Sequence, residues 1–481
     1  MKINRHSILA MSISLCLSST AYSGGFTVTV QSASSGGTAS TNHAMAEDAS
    51  AMFYNPALLS SVDGTQFNVG LSLISPDMTV TNTGSALPTA AGGTPIVGVN
   101  SAEPTDLAAT PSLFYKRDLS PHMAFGLGIN IPFGVSSEYE KDSFARYEAT
   151  ESGLTTVNIN PALSWKVNSK FDIGAGLNVQ LGTATLAKSV DSFLVCASAI
   201  GAANCGSLTG PGVQANDGDS TVEADGVAYG FNLGGAYHPN KNTTISVGYR
   251  SSTKFELEGD VDFDHNATLL ATVGGAAYFQ QTGTAAPSVA VATAAGTSAL
   301  TAGGLNDRNA MADLELPASA SFALSTKVSS KLTLHGDVTW TDWSSVPEIR
   351  IQFPTTTGSA ALADSVTDLQ WEDTVRVGAG MTYQMSEKTK LRAGIAYDPT
   401  PTPGPNNRTP RAPSSDNIWL SVGMGHDFSK KLSVDASLAY IHPDDSSITY
   451  TSPSATLNYL TRADVETSAI SAALSLNYKF K

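Results

Sequence analysis

The sequence predicts an all-β fold: a fourteen-stranded antiparallel transmembrane β-barrel with an N-terminal luminal plug that contains short helices. Three observations predict this fold. Very short turns alternate with long polar loops, apolar and polar residues alternate in the segments between them, and the N-terminus has the features of an export signal. In a soluble β-sandwich, short turns and long loops have no physical reason to alternate. In an outer-membrane barrel they do, because its strands run between tight periplasmic turns and long outer loops.

The N-terminus is predicted to be a secretory signal peptide, residues 1–23. Lys2 and Arg5 supply the positive start, Ile8 to Leu17 form a short apolar core, and Ala21-Tyr22-Ser23 fits a cleavage site of small residues. A membrane anchor is the alternative, but it needs about 20 apolar residues. The mature chain is therefore expected to begin at Gly24.

Composition favours an exported membrane protein and gives no support for nucleic acid as a partner. No later stretch has about 18 uninterrupted apolar residues, but barrel strands need only every second residue to be apolar. Without Lys2 and Arg5 the formal net charge falls from −15 to −17 (−15 − 2), whereas a nucleic-acid-binding surface is basic. We expect a monomer in the Gram-negative outer membrane, in contact with lipid and lipopolysaccharide, without a cofactor or metal.

The alternation is clearest in residues 170–188. Phe171, Ile173 and Leu177 fall on one face, predicted to meet lipid, while Asp172 and Asn178 fall on the other, predicted to face the lumen. The fourteen predicted strands are 65–82, 105–118, 121–133, 154–167, 170–190, 222–238, 242–259, 312–328, 331–345, 369–385, 388–398, 415–428, 431–443 and 466–480. The short turns follow the even strands, which places both termini in the periplasm and the long loops outside.

The mature chain keeps two cysteines, Cys196 and Cys205, in one long loop. Export to an oxidising compartment favours a disulfide between them. A metal site is the alternative, but two cysteines with no second pair and no nearby histidine are a poor ligand set.

Residues 24–64 do not fit the strand pattern and precede the barrel, residues 65–481. Asn42 is a candidate N-cap for a short helix, and Asn55 before Pro56 is expected to end it. A fourteen-stranded barrel is wide enough to need a plug, and this segment is the candidate. A disordered periplasmic tail is the alternative, which the density of Ala, Met, Phe and Leu argues against.

Several stretches, in order along the mature chain, resemble the FadL family of outer-membrane transporters for hydrophobic compounds. They are Ala46-Glu47-Asp48-Ala49, Asn55-Pro56-Ala57, Ile131-Pro132-Phe133-Gly134, Arg146-Tyr147, Asn158-Ile159-Asn160-Pro161-Ala162, Leu316-Pro317-Ala318-Ser319, Thr341-Asp342-Trp343-Ser344, Ala396-Tyr397-Asp398-Pro399 and Ile418-Trp419-Leu420-Ser421. Each tripeptide alone is a weak signal, and their ordered series is a strong one. The match is weakest over 265–304.

The resemblance implies a route for an apolar ligand. It implies capture between two outer loops, here 191–221 and 260–311, then passage to a pocket in the barrel, movement of the plug and sideways release at a kinked third strand. Apolar residues suitable for the groove are Phe193, Leu194, Leu269 and Leu270, for which ordinary loop packing is the alternative. The third strand carries Gly126, Gly128, Pro132 and Gly134, which weaken or interrupt a ladder, although the strand could simply end at Pro132.

A fatty-acid ligand would also need a cation for its carboxylate. Lys188 best matches the family's basic ligand-binding position, and Arg146, Arg250 and Lys254 are alternatives. A lone basic residue near a strand end is more often only solvated. Asn55-Pro56-Ala57 is the plug's anchor by resemblance, with a plain helix stop as the alternative.

The resemblance implies passive transport of hydrophobic compounds, and we expect long-chain fatty acids to be the substrate. The alternatives are uptake of aromatic or alkane hydrocarbons by the same architecture, and a general diffusion porin. An outer-membrane enzyme is disfavoured, because the histidines are scattered and only His335 with Asp337 forms a suggestive pair.

Overall fold

Fourteen antiparallel strands close into a barrel in the computed structural model, as the sequence predicts. The structure describes residues 24–208, 210–355, 357–453 and 458–480. Closure is made by the first and last strands, which pair along their length from Gln66 with Lys479 to Asn82 with Ala463. The predicted signal peptide, residues 1–23, lies outside the described residues.

Six of the fourteen strands consist of two segments each. The strands are β1 Gln66–Asn82, β2 Ala108–Ser120, β3 Met123–Asn130 with Gly134–Glu138, β4 Glu151–Lys166, β5 Phe171–Val190, β6 Gly218–Asn240, β7 Thr243–Arg250 with Thr253–Asp264, β8 Arg308–Leu316 with Ser319–Lys327, β9 Leu332–Thr341 with Glu348–Gln352, β10 Ser365–Asp368 with Thr374–Gln384, β11 Thr389–Asp398, β12 Asn417–Asp427, β13 Leu432–Pro443 with Ser446–Thr451, and β14 Leu460–Lys479. The α-helices are α1 Ala33–Gly36, α2 Ala51–Tyr54, α3 Ser192–Ile200, α4 Ala267–Thr282 and α5 Val289–Ala302. None of the helices in the described ranges is long and apolar enough to cross a membrane.

The alternation in β5 has the predicted orientation. Phe171 and Leu177 are 47% and 63% exposed on the outside, while Asp172 and Asn178 are buried in the lumen. The apolar outer face of the barrel meets lipid. On the luminal face, small and polar side chains leave room for the N-terminal segment.

Several strands extend beyond their predicted outer ends, because their pattern inverts there. On β7 the outward side chains Glu256, Glu258, Asp260, Asp262 and Asp264 are exposed. On the luminal face Phe255, Leu257 and Val261 are buried. Acidic residues facing out cannot contact hydrocarbon, so this part of the wall stands above the membrane and encloses an apolar interior.

Two predicted boundaries were wrong. The stretch 260–311 is not all loop: β7 continues to Asp264, and α4 and α5 form a helical pair before β8 begins. The first short turn is not 117–120 but Pro121 and His122, because β2 continues to Ser120 through a bulge.

The outer loops carry a helical layer closed by a disulfide between Cys196 and Cys205. Both cysteines are fully buried and pack with Leu269, Val273 and Leu300 of the two helices α4 and α5. The disulfide therefore joins α3 to its own loop inside this layer.

Candidate pathway for an apolar ligand

The N-terminal segment, residues 24–64, lies inside the barrel. It is hydrogen-bonded to strands around the whole wall. Five of these bonds are donated by wall side chains to backbone carbonyls of the segment: Ser72 Oγ to Val30 O, Ser112 Oγ to Gln31 O, Ser164 Oγ to Ala57 O, Ser246 Oγ to His43 O, and Arg376 Nη2 to Ala39 O. In the sixth, Ala33 N of the segment donates to Ser475 Oγ. Its apolar side chains Met52, Leu58 and Leu59 are at most 1% exposed. A segment that touches opposite walls and buries its own apolar residues obstructs the lumen.

Asn55 fastens this segment to the wall. Its Oδ1 accepts from Ala57 N at 2.9 Å and so caps the short 3₁₀ helix that Pro56 begins. Its Nδ2 donates to Gly235 O and Val247 O, both at 3.1 Å, on the adjacent strands β6 and β7. One amide thus ends the helix α2, starts the next turn and bridges two wall strands.

A buried ion-pair network holds the periplasmic half of the segment. Glu47 lies 2.8 Å from Arg392 and 3.3 Å from Lys390, and Arg392 also lies 2.8 Å from Asp435. Burial alone would raise the pKa of Glu47, but Arg392 and Lys390 outweigh it and hold that pKa well below its usual range. The carboxylate therefore stays charged and paired.

The third strand breaks where the N-terminal segment meets it. Between the two segments of β3, Pro132 O accepts from Val28 N and Gly134 N donates to Phe26 O, both at 2.9 Å. The ladder between β2 and β3 ends at Leu113 with Ile129, and the second segment of β3 pairs with β4 alone. Residues 26–28 thus bond Pro132 O and Gly134 N, while the backbone of Phe133 remains bonded to Thr156 of β4.

Gly126 and Gly128 serve a different purpose from the one expected. Both lie in the regularly paired part of β3. A Cβ on Gly126 would come within 2.6 Å of Leu59 Cδ1 and 2.9 Å of Met52 Sδ. The glycine admits the plug's apolar side chains and does not interrupt the strand.

An outer cavity of about 360 Å³ opens beneath the helical layer and is lined by Lys188, Glu148, Arg411 and Leu194. In the described ranges the Lys188 ammonium has no hydrogen bond and no carboxylate within 4 Å, but the Glu148 carboxylate is near enough to act on it electrostatically. Glu148 Oε1 is buried without a hydrogen-bond partner among the described residues, while Ser452 lies beside the same carboxyl group. Burial raises the pKa of the Glu148 carboxyl, although the Lys188 and Arg411 cations oppose the rise.

Below the outer cavity lies an apolar chamber of about 60 Å³, which shares Leu186, Val222 and Ile351 with it. Phe26 of the N-terminal segment forms part of its floor. The Phe26 ring lies 4.7 Å from Trp371 and 5.8 Å from Trp343. This aromatic cluster separates the chamber from the space below.

An inner pocket of about 120 Å³ lies on the other side of the aromatic cluster. Trp343 and Phe133 form its upper wall, so it adjoins the break in β3. Its polar lining includes Arg250, Arg376 and His43. The order along the barrel is therefore an outer cavity with charged residues in its lining, an apolar chamber, an aromatic barrier, and an inner pocket whose mostly apolar lining includes two arginines.

Two of the four candidate cations line none of the three cavities described above. Lys254 points outward, with its side chain 58% exposed, and lies 3.8 Å from Asp313. Arg146 is fully buried among the outer loops and binds Asp217 Oδ2 at 2.7 Å, Val97 O at 2.8 Å and Gly212 O at 2.8 Å. Lys254 thus lies on the outer surface of the barrel, and Arg146 holds the outer loops together by hydrogen bonds.

The apolar loop residues are used mainly for packing. Leu269 is completely buried in the helical layer, and Phe193 and Leu270 are partly buried against it. Leu194 alone of the four lines the outer cavity. Phe193, Leu269 and Leu270 therefore pack within the loops, whereas Leu194 lines the outer cavity.

Sequence reasoning missed Arg411, Glu148, Phe26 and Trp371 as residues of this route. Arg411 comes from the loop after β11, which folds into the barrel and donates from Nη1 to Ser152 Oγ at 3.0 Å. No periodicity marks a loop that folds inward. The inverted alternation of β7 was a readable signal for the apolar chamber, because its luminal residues include Leu257.

These features define a class: a β-barrel of the outer membrane whose lumen is obstructed by its own N-terminal segment and divided into cavities. A family model described as "Outer membrane protein transport protein (OMPP1/FadL/TodX)" matches residues 14–480. The chain belongs to this family.

Relatives agree with that assignment, and solved structures share the fold. A Neisseria meningitidis serogroup B protein described as "Putative outer membrane protein" is 30% identical over 477 residues, 96% of this chain and 95% of the relative. The long-chain fatty acid transport protein of Escherichia coli K12 is 25% identical over 446 residues, 91% of each chain. A Pseudomonas aeruginosa FadL homologue superposes with a TM-score of 0.79 at 22% identity, over 95% of this chain and 100% of that one. The Pseudomonas putida toluene transporter TodX gives 0.62 at 18% identity, over 95% and 100%.

Proposed function

We propose that this protein carries long-chain fatty acids across the outer membrane by diffusion. The observation that carries the proposal is the Lys188 ammonium in the outer cavity, which makes no hydrogen bond or close ion pair with the described residues and lies directly above an apolar chamber. A fatty acid presents the complementary pair of features, a carboxylate and an alkyl chain. The relatives named long-chain fatty acid transport proteins support the same substrate.

The driving force for entry is burial of the alkyl chain, at about 25 cal/mol per Å² of apolar surface removed from water. The outer cavity, at about 360 Å³, is within the usual size of a small-molecule site. The apolar chamber below is much smaller, so a long chain can advance only if Phe26 moves. Movement of residues 24–31 is therefore the step that opens the route.

Release sideways through the wall fits the break in β3. Residues 26–28 now satisfy the free backbone groups at Pro132 and Gly134. When those residues move, the gap beside β2 loses its inner cover, and an apolar ligand can pass into the membrane.

Aromatic or alkane hydrocarbons are the alternative substrates. The nearly all-apolar lining of the chamber and the likeness to toluene transporters favour them. A general porin is disfavoured, because the N-terminal segment fills the lumen. Enzymatic function is disfavoured too: His335 bonds Ser325 and Thr382, whereas Asp337 lies against His43, so the suggestive pair is not joined.

Replacing Lys188 tests the substrate class. In a strain that lacks its own transporter, we expect Lys188→Ala to weaken uptake of labelled oleate and to leave toluene uptake unchanged, because only oleate needs the cation. Lys254→Ala, which removes the same charge on the outer face, is the matched control and should alter neither. Equal uptake of both ligands by Lys188→Ala and by the unaltered protein would contradict the role of Lys188.

A further inference from the structure

The inner pocket contains a buried cation without a counter-charge. Arg250 is 9% exposed and lines the pocket. Its Nη1 donates to Asn178 Oδ1 at 2.9 Å and its Nη2 to Phe53 O at 2.8 Å, and both acceptors are neutral. Across the described ranges no carboxylate lies within 4 Å of this guanidinium.

Neighbouring luminal arginines are paired. Arg376 lies 3.8 Å from Asp337 and from Asp398. Arg392 lies 2.8 Å from Glu47 and from Asp435. A buried charge without a counter-charge is costly. The Phe53 ring, whose centroid lies 4.7 Å from Arg250 Cζ, offsets part of that cost, and an anion at this position would be stabilised further.

His43 supplies a second unfilled polar position in the same pocket. Its Nδ1 faces Asp337 Oδ2 at 2.8 Å, and Tyr54 stacks on the ring at 4.3 Å. Its Nε2 is buried and has no hydrogen-bond partner among the residues that the structure describes, and the side chain is only 8% exposed. The ring is therefore held by its neighbours while one nitrogen remains available to a ligand oxygen.

We propose that the inner pocket is a second binding site for the ligand's carboxylate, with Arg250 as the residue that pairs with it. This inference rests on the proposed function and adds a position to the route. The carboxylate would leave Lys188, pass the aromatic barrier as Phe26 moves, and pair with Arg250 beside the break in β3. The alkyl chain would then lie next to the gap through which it leaves.

Binding of hexanoate to purified protein tests the second site without requiring transport. Hexanoate is short enough to suit a pocket of about 120 Å³. In a Lys188→Ala background, which removes the outer cation, we expect hexanoate binding to persist by isothermal titration calorimetry. Adding Arg250→Gln should abolish that binding. Adding Lys254→Gln instead, an equal charge change on the outer face, should leave it intact.

Hexanoate binding tests the second site, whereas oleate uptake tests the proposed function, so failure of one can be distinguished from failure of the other. The second site is overturned if Lys188→Ala alone binds no hexanoate, or if the Arg250→Gln double variant binds it as well as Lys188→Ala does. Because Arg250 also holds Phe53 O, each variant is first checked for a barrel that stays compact in SDS until heated. Arg250→Lys retains a cation and should keep hexanoate binding, whereas equal loss with Lys and Gln would assign Arg250 a structural role only.

Discussion

Single residues decide how the N-terminal segment sits against the wall. The bridging amide of Asn55 fits only because the wall residues beneath it are glycines, which have no side chain. A Cβ on Gly234 would lie 1.9 Å from Asn55 Oδ1, and one on Gly174 would lie 2.4 Å from Ala57 N. The glycines of β5 and β6 are therefore as necessary to the anchor as Asn55 itself.

Adding one methyl group at Gly234 should loosen the anchor. We expect Gly234→Ala to destabilise the folded protein by about 1–3 kcal/mol, the usual cost of forcing extra volume into a packed site. The readout is the temperature at which the compact barrel unfolds in SDS. Gly235→Ala is the matched control, because its Cβ would meet only Val247 Cγ2 at 3.4 Å. Equal unfolding temperatures for the two variants would contradict this account of the anchor.

The site residues were only partly predictable. Lys188 was named from the family resemblance, and the structure puts it in the outer cavity. Lys254 was named with it, but strand parity places the side chain outside: Thr253 and Phe255 face in, so Lys254 faces out. Arg411 was not named, because an irregular loop has no period from which an inward direction can be read.

The elements that matter most for transport are β3 and residues 24–31, which share a backbone interaction. Thr27 and Phe133 form an antiparallel bridge, and Gln31 Nε2 donates to Ile131 O at 2.7 Å. The break in the strand is thus closed from inside by the same residues that separate the apolar chamber from the inner pocket. One movement would open both barriers.

A disulfide across this contact should stop transport. Bridged antiparallel residues have Cα atoms about 4.5–5.5 Å apart, which suits a disulfide. We expect oxidised Thr27→Cys with Phe133→Cys to lose uptake of labelled oleate, and a reductant to restore it. Each single cysteine variant serves as a control for loss of the native side chain. If the oxidised and reduced double variant transport oleate equally, residues 24–31 do not move in transport.

The number and order of the strands were predictable, and their outer ends were not. Within the membrane each strand alternates apolar outside with small or polar inside, and that pattern is readable. Above the membrane the outer face of a strand is polar and the luminal face is apolar. The acidic residues of β7 after Gly259 were therefore predicted to be loop. The helices α4 and α5 were missed because Ala, Gly and Thr form no amphipathic pattern.

At the scale of the whole molecule, the barrel has two halves with opposite distributions of apolar and polar side chains. The membrane half has an apolar exterior and an interior filled by the N-terminal segment. The outer half has an acidic exterior and an apolar interior, closed above by the helical layer. A hydrophobic molecule thus meets a protected apolar space before it meets the N-terminal segment.

The most direct test of this account is the uptake of labelled oleate relative to labelled sucrose by a strain that lacks its own transporter and expresses this protein. An obstructed conduit for hydrophobic molecules predicts that oleate uptake rises above that of the empty-vector strain while sucrose uptake does not change. Increased sucrose uptake without increased oleate uptake would contradict the account and identify an open porin.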